Sequence, residues 1–105
     1  MEKPNLQYIE ELSDGDDVFQ KKLLSVIKKE FPEEVLAYKK SIEKKEFLKT
    51  AENVHKIKHK ISILGLEKGY EMATEFEREL KKEMKTQQVY FEEILSQISQ
   101  YLNTI

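Results

Sequence analysis

The chain has 105 residues, of which 39% are apolar and 36% charged, with three glycines, two prolines and no cysteine. That length carries one substantial core and not two, the apolar and aromatic content is too high for disorder, and the missing cysteine excludes disulfides and thiolate metal sites. A net charge of −2 gives no general affinity for nucleic acid or an anionic membrane, and the first residues hold no apolar run long enough for a signal peptide or a span, so the cytoplasm is the expected compartment.

Apolar residues at Leu6, Ile9 and Leu12 predict a short amphipathic helix within Asn5–Leu12. Ser13, Asp14 and Gly15 break the pattern, and Asp16 or Asp17 suits the first turn of a new helix. From Val18 the apolar positions Phe19, Leu23, Val26, Ile27 and Phe31 keep helical spacing up to Pro32. That proline either kinks a long helix or opens a fresh one, and Glu33 and Glu34 after it tilt the reading toward a fresh start. Val35, Leu36, Tyr38 and Ile42 continue the apolar face. "KKEF" around 44–47 predicts a turn into a long helix over Phe47–Leu64, which Gly65 stops. A further helix is expected from about Glu67 to Lys85, with Tyr70, Ala73, Phe76, Leu80 and Met84 inward. "KTQQ" then leads to a closing helix carrying Val89, Phe91, Ile94, Leu95, Ile98, Tyr101, Leu102 and Ile105. No segment alternates with period two. Short connections between helices of this length make antiparallel neighbours. The expected fold is therefore all-α: an antiparallel up-and-down four-helix bundle, one domain over 1–105, with a short extra N-terminal helix. The weakly charged last helix is expected to close its own bundle, leaving a monomer.

Chemistry-bearing residues concentrate in "VHKIKHKISILGL", residues 54–66, which holds both histidines. On a helical wheel of about 100° per residue, Phe47, Ala51, Val54, Ile57, Ile61, Leu64 and Gly65 form one inward stripe. His55 falls at the edge of that stripe, with Ser62 near it and His59 further out. Lys58 reaches the core boundary, where a lysine is expected to run its stem over apolar surface and lift its ammonium to solvent beside the imidazole one turn earlier. Ile63 points away from the stripe. A solvated polar strip without a task would satisfy the same spacing. A metal site would not suit it. His55 and His59 stand at i and i+4, but there is no third histidine, a carboxylate from Glu52 or Glu77 would have to complete the set, and Lys56, Lys58 and Lys60 surround the position. A neutral imidazole at a helix edge is, by contrast, a competent nucleophile, and a phosphoryl group that it acquires needs positive charge nearby.

"AENVHKIKHKISILGL" resembles the phosphoacceptor helix of histidine-containing phosphotransfer (HPt) domains, whose motif reads approximately His-x-Leu/Ile-Lys-Gly, then five residues, then Gly. His55, Ile57, Lys58 and Gly65 match in register, whereas His59 stands where the family usually has a small residue. "SDGDDVF", the long helix before the motif and "LGLEKGYEMATEFEREL" after it also look like the family, so the resemblance spans nearly the whole chain. It implies a phosphocarrier without an ATP site or cofactor of its own. Such a carrier works between receiver domains of response regulators and a hybrid histidine kinase, with magnesium on the receiver. It implies His55 as phosphoacceptor, Lys58 as the charge that offsets the phosphate, Glu77 as the group that orients the other ring nitrogen, and a docking strip of His59, Ser62 and Ile63. Two rivals use the same residues differently. One is a non-catalytic helical module that binds a receiver. The other is a kinase dimerisation domain, which usually has an acidic residue after its histidine, where this chain has Lys56.

Overall fold

A computed structural model describes residues 2–105, and among them every regular element is helical: α1 (Gln7–Ser13), α2 (Asp17–Glu43), α3 (Phe47–Ile63), α4 (Glu67–Leu80) and α5 (Gln88–Leu102). None of these helices is long and apolar enough to cross a membrane. The break between α1 and α2 is made by two consecutive residues in the left-handed region, Asp14 (φ 45°) and Gly15 (φ 84°). Asp16 then caps α2, its side chain accepting from the Phe19 amide at 3.0 Å.

Helix α2 runs through Pro32 without a fresh start, which corrects the expectation drawn from Glu33 and Glu34. An interior proline forfeits one N–H···O=C bond and costs about 3 kcal/mol relative to alanine. Here Phe31 and Tyr38 are anchored in the core on the same helix, while Pro32 and Lys28 are exposed, so the break in the hydrogen-bond ladder falls on the outer side of the helix and not in the core. The result is a 27-residue helix. At about 1.5 Å per residue it covers most of the 44 Å long axis of the molecule.

Helix α3 ends at Ile63, and the turn into α4 is held from outside by the N-terminal segment. The Asn5 amide donates to the Leu64 carbonyl at 2.9 Å. The Glu2 carboxylate accepts from the Lys68 and Gly69 amides at 2.7 and 3.0 Å, capping the start of α4. Gly65 sits between them at φ +85°, and a Cβ there would lie 2.5 Å from the Asn5 side chain. Gly65→Ala is therefore expected to cost about 1–3 kcal/mol, since it adds left-handed strain and a clash. Gly15→Ala shares the positive φ but meets nothing within 4 Å, so it should cost less. Urea unfolding of both variants checks the order, and equal losses would mean that the Asn5 contact contributes nothing.

Helix α4 stops at Leu80, short of the expected Lys85, and Met84 is exposed and not inward. The chain turns because Glu83 adopts φ 58° and Glu79 accepts hydrogen bonds from Thr86 Oγ1 and, at 3.2 Å, from the Gln87 amide. Helix α3 packs between α2 and α4, α5 lies against α4 and α2, and α1 lies against α2. One continuous core results, to which every helix contributes. At its centre, Tyr38 meets Phe91 edge-on at 5.1 Å and Phe76 meets Phe91 at 5.3 Å. The Tyr38 hydroxyl escapes to Glu92, donating to Oε2 at 3.0 Å, and burial together with that carboxylate pushes its pKa up. Gly69 has packing for its reason, because a Cβ would stand 3.1 Å from Ile61 and 3.2 Å from Ile94. Phe19, Val26, Leu36, Val89 and Ile105, expected on apolar faces, are exposed.

Candidate functional site

The buried stripe of α3 is Ala51, Val54, Ile57, Ile61 and, just past the helix, Leu64. It fixes the rotation of α3 and leaves His55 at the margin facing α4. Because the two helices fold back on one another about Gly65, residues at comparable distances on either side of the turn meet, and this brings Glu77 to His55. Nδ1 of His55 lies 3.1 Å from Glu77 Oε2 and 3.3 Å from Oε1. The imidazole is 53% exposed and the carboxylate only 14%. A carboxylate offers acceptors alone, so in the neutral ring Nδ1 carries the proton and Nε2 keeps its lone pair. Nε2 makes no hydrogen bond among the described residues.

Lys58 departs from expectation. It is buried, and its ammonium does not rise to solvent but donates to Glu77 Oε1 at 2.9 Å. Thr74 Oγ1 lies 3.5 Å from Nζ, and the Tyr70 ring centroid 5.3 Å away. The reason is a buried carboxylate within reach on the neighbouring helix, which a wheel of α3 alone does not contain. Burial by itself would raise the Glu77 pKa, but the hydrogen bonds and charges of Lys58 and His55 outweigh it and hold the carboxyl below the usual glutamate range. A carboxyl with a depressed native pKa contributes stability that is complete above its unfolded pKa, about 4.3, and is lost as pH falls through the native value. Urea midpoints measured from pH 6 down to 3 are expected to drop less steeply for Glu77→Gln than for the parent protein. Parallel acid limbs would mean that Glu77 is not held ionised by its neighbours.

The remaining residues separate. His59 is exposed, its ring edge-on to His55 at 5.0 Å between centroids. Lys60, expected to flank the imidazole with positive charge, is drawn instead to α2, where it donates to Glu30 and Glu34 at 3.0 Å each. Lys56 is exposed. Ser62 is exposed but lies in a groove beside Asn5 and Tyr8 of the N-terminal segment, with no hydrogen bond to the His55 cluster. Ile63, expected to point away from the interior, is half-buried against the core. The wheel assumed one inward direction, whereas α3 is flanked on two sides.

Two contributors were not legible in the sequence pattern of α3. Thr74 sits beside the Lys58 ammonium, its hydroxyl bonded back to the Tyr70 carbonyl at 3.0 Å. Lys81, one turn beyond Glu77, brings its ammonium to 3.9 Å from Glu77 Oε2. The i, i+4 spacing of a glutamate and a lysine was the available signal. Beside His55 and Glu77 an open groove runs between α3 and α4, walled by Leu48, Ala51, Lys56 and Lys81. The arrangement can present a neutral, correctly protonated imidazole to an electrophile and stabilise the positive charge that its attack leaves on the ring. The chain matches no protein-family model, no curated protein and no solved structure.

Proposed function

We propose that this chain is a histidine phosphocarrier of a multistep two-component relay, accepting a phosphoryl group from a receiver-domain aspartate on His55 and passing it to another receiver. The observation that carries this reading is the His55–Glu77 pair, an exposed imidazole whose Nδ1 is held by a carboxylate and whose Nε2 has no hydrogen-bond partner among the described residues. The likeness of "VHKIKHKISILGL" to the HPt phosphoacceptor helix supports it from the sequence. In the same reading, α2 to α5 are the antiparallel four-helix bundle of such a carrier, α1 is the extra N-terminal helix, and the protein acts as a cytoplasmic monomer. A hybrid histidine kinase stands upstream of it.

The chemistry asks little of the carrier. Nε2 attacks the phosphorus of the aspartyl phosphate, the N–P bond forms, and the P–O bond to the aspartate breaks, releasing the receiver's side chain as a carboxylate. The receiver carries the magnesium ion that this transfer uses. Nδ1 keeps its proton throughout, and Glu77 offsets the positive charge that the ring acquires. Lys58, with its ammonium on Glu77, serves by holding that carboxylate ionised and in place.

Incubation with a phosphorylated receiver tests the reading. The expected result is loss of phosphate from the receiver and its appearance on this chain as an acid-labile, base-stable adduct. Tight receiver binding with no transfer would replace the carrier by a plain interaction module.

A further inference from the structure

On the helical wheel Lys56, Lys58 and Lys60 stand against a metal ion at the two histidines, and the fold withdraws two of them. Lys60 is held on α2 by Glu30 and Glu34, and Lys58 is buried with its ammonium on Glu77. Lys81, from α4, also lies against Glu77, at 3.9 Å, so both of these ammonium groups stand at the Nδ1 edge of the His55 ring. The Nε2 lone pair leaves the ring on its other side. Lys56 is exposed, on a stem long enough to carry its charge into water, and the exposed carboxylate of Glu52, one turn before His55, offsets that charge. What stays at the position is a pair of imidazoles. His55 and His59 are both exposed, one turn apart on α3, with ring centroids 5.0 Å apart. Two imidazoles that share one ion at about 2.1 Å from each nitrogen, with a ligand angle of about 90–110°, have centroids roughly 4.6–5.3 Å apart. The observed spacing lies in that interval. His59 now meets His55 edge-on, and it has no hydrogen bond among the described residues to keep its ring from turning. His55 is prepared already, because a metal-binding imidazole commonly donates its other N–H to a carboxylate, as Nδ1 does to Glu77.

We infer that His55 and His59 form a two-nitrogen site for a borderline divalent transition metal of the zinc class, bound through Nε2 of His55 and one ring nitrogen of His59. Water completes the coordination shell. Imidazole nitrogens suit zinc, copper and nickel, whereas magnesium takes oxygen ligands, so the pair selects the first group and rejects the second. The site itself needs no phosphate chemistry. Its consequence rests on the phosphocarrier reading above: metal and phosphoryl group compete for one lone pair, so zinc switches the carrier off without disturbing its fold.

Zinc titration of the full chain, by calorimetry and by ¹⁵N NMR of the imidazole nitrogens, tests the site. A single zinc per chain should shift Nε2 of His55 while Nδ1 keeps its proton, and magnesium at the same concentration should shift neither ring. His55→Gln and His59→Gln should each weaken zinc binding by about tenfold or more. Zinc affinity in His59→Gln equal to that of the parent would overturn the pair. Labelling of His55 by potassium phosphoramidate, a small phosphoryl donor, with and without zinc, tests the competition. Zinc should slow labelling of the parent, and the ratio of the two rates should move toward one in His59→Gln, which also controls for zinc acting on the donor. Unslowed labelling of the zinc-loaded parent would overturn the competition at Nε2. Zinc bound at the pair of a chain that takes no phosphate would uphold the metal site and overturn the carrier reading. Phosphate taken up by a chain that binds no zinc would do the reverse.

Discussion

Replacing His55 by Gln is expected to abolish phosphate uptake from a phosphorylated receiver, while His59→Gln leaves it within about twofold of the parent. Glutamine keeps the size, the polarity and a donor for Glu77, but its amide nitrogen has no lone pair available for attack on phosphorus. The side chain is more than half exposed, so the substitution leaves the core untouched and the fold should survive. His59 has the same ring and is also exposed, but no carboxylate holds either of its nitrogens among the described residues. Nothing there fixes its tautomer or offsets the charge that attack would create. Radiolabel transfer with circular dichroism as the folding control reads the comparison. Labelling of the His55→Gln protein would remove His55 from the role of acceptor.

Glu77→Ala is expected to be the most damaging single change at the site for stability, at about 2–3 kcal/mol. It strands the ammonium of Lys58, whose side chain is only 10% exposed, with Thr74 Oγ1 at 3.5 Å as its remaining hydrogen-bond partner among the described residues. Breaking a buried pair on one side costs more than removing both members, because one charge is left uncompensated. Lys58→Met combined with Glu77→Ala should accordingly recover much of the loss, a coupling that a double-mutant cycle in urea measures directly. Additive losses would show that the two side chains do not depend on one another. Phosphate uptake should stay low in the double variant, since the imidazole has lost the group that holds Nδ1. Recovery of stability without recovery of transfer thus separates the two duties of Glu77.

Much of this could be read from residue order, and the exceptions share a cause. Helix α3 was predicted to within a residue because its stripe has an unbroken 3.6 period and because Gly65 ends it at positive φ. At Pro32 the sequence leaves a kink and a fresh start both open and tilts toward the fresh start, because local preference sees the missing N–H but not the anchoring of Phe31 and Tyr38 on either side of it. The sequence makes α4 too long because no glycine marks its end; Glu83 takes the left-handed turn instead, steadied by Glu79. The same division holds at the site. His55 at a stripe edge follows from the spacing on α3, and Glu77 on the next helix from the resemblance to the family. The burial of Lys58, the capture of Lys60 by α2 and the half-burial of Ile63 depend on which side chains the neighbouring helices bring, and no single-helix wheel contains them.

The measurement that bears most directly on the account is the identification of the phosphorylated nitrogen. Heteronuclear NMR of the ¹⁵N-labelled, phosphorylated protein should show phosphorus bonded to Nε2 of His55, with Nδ1 still protonated and its proton held by Glu77. Phosphorus on Nδ1, or on either nitrogen of His59, would contradict it.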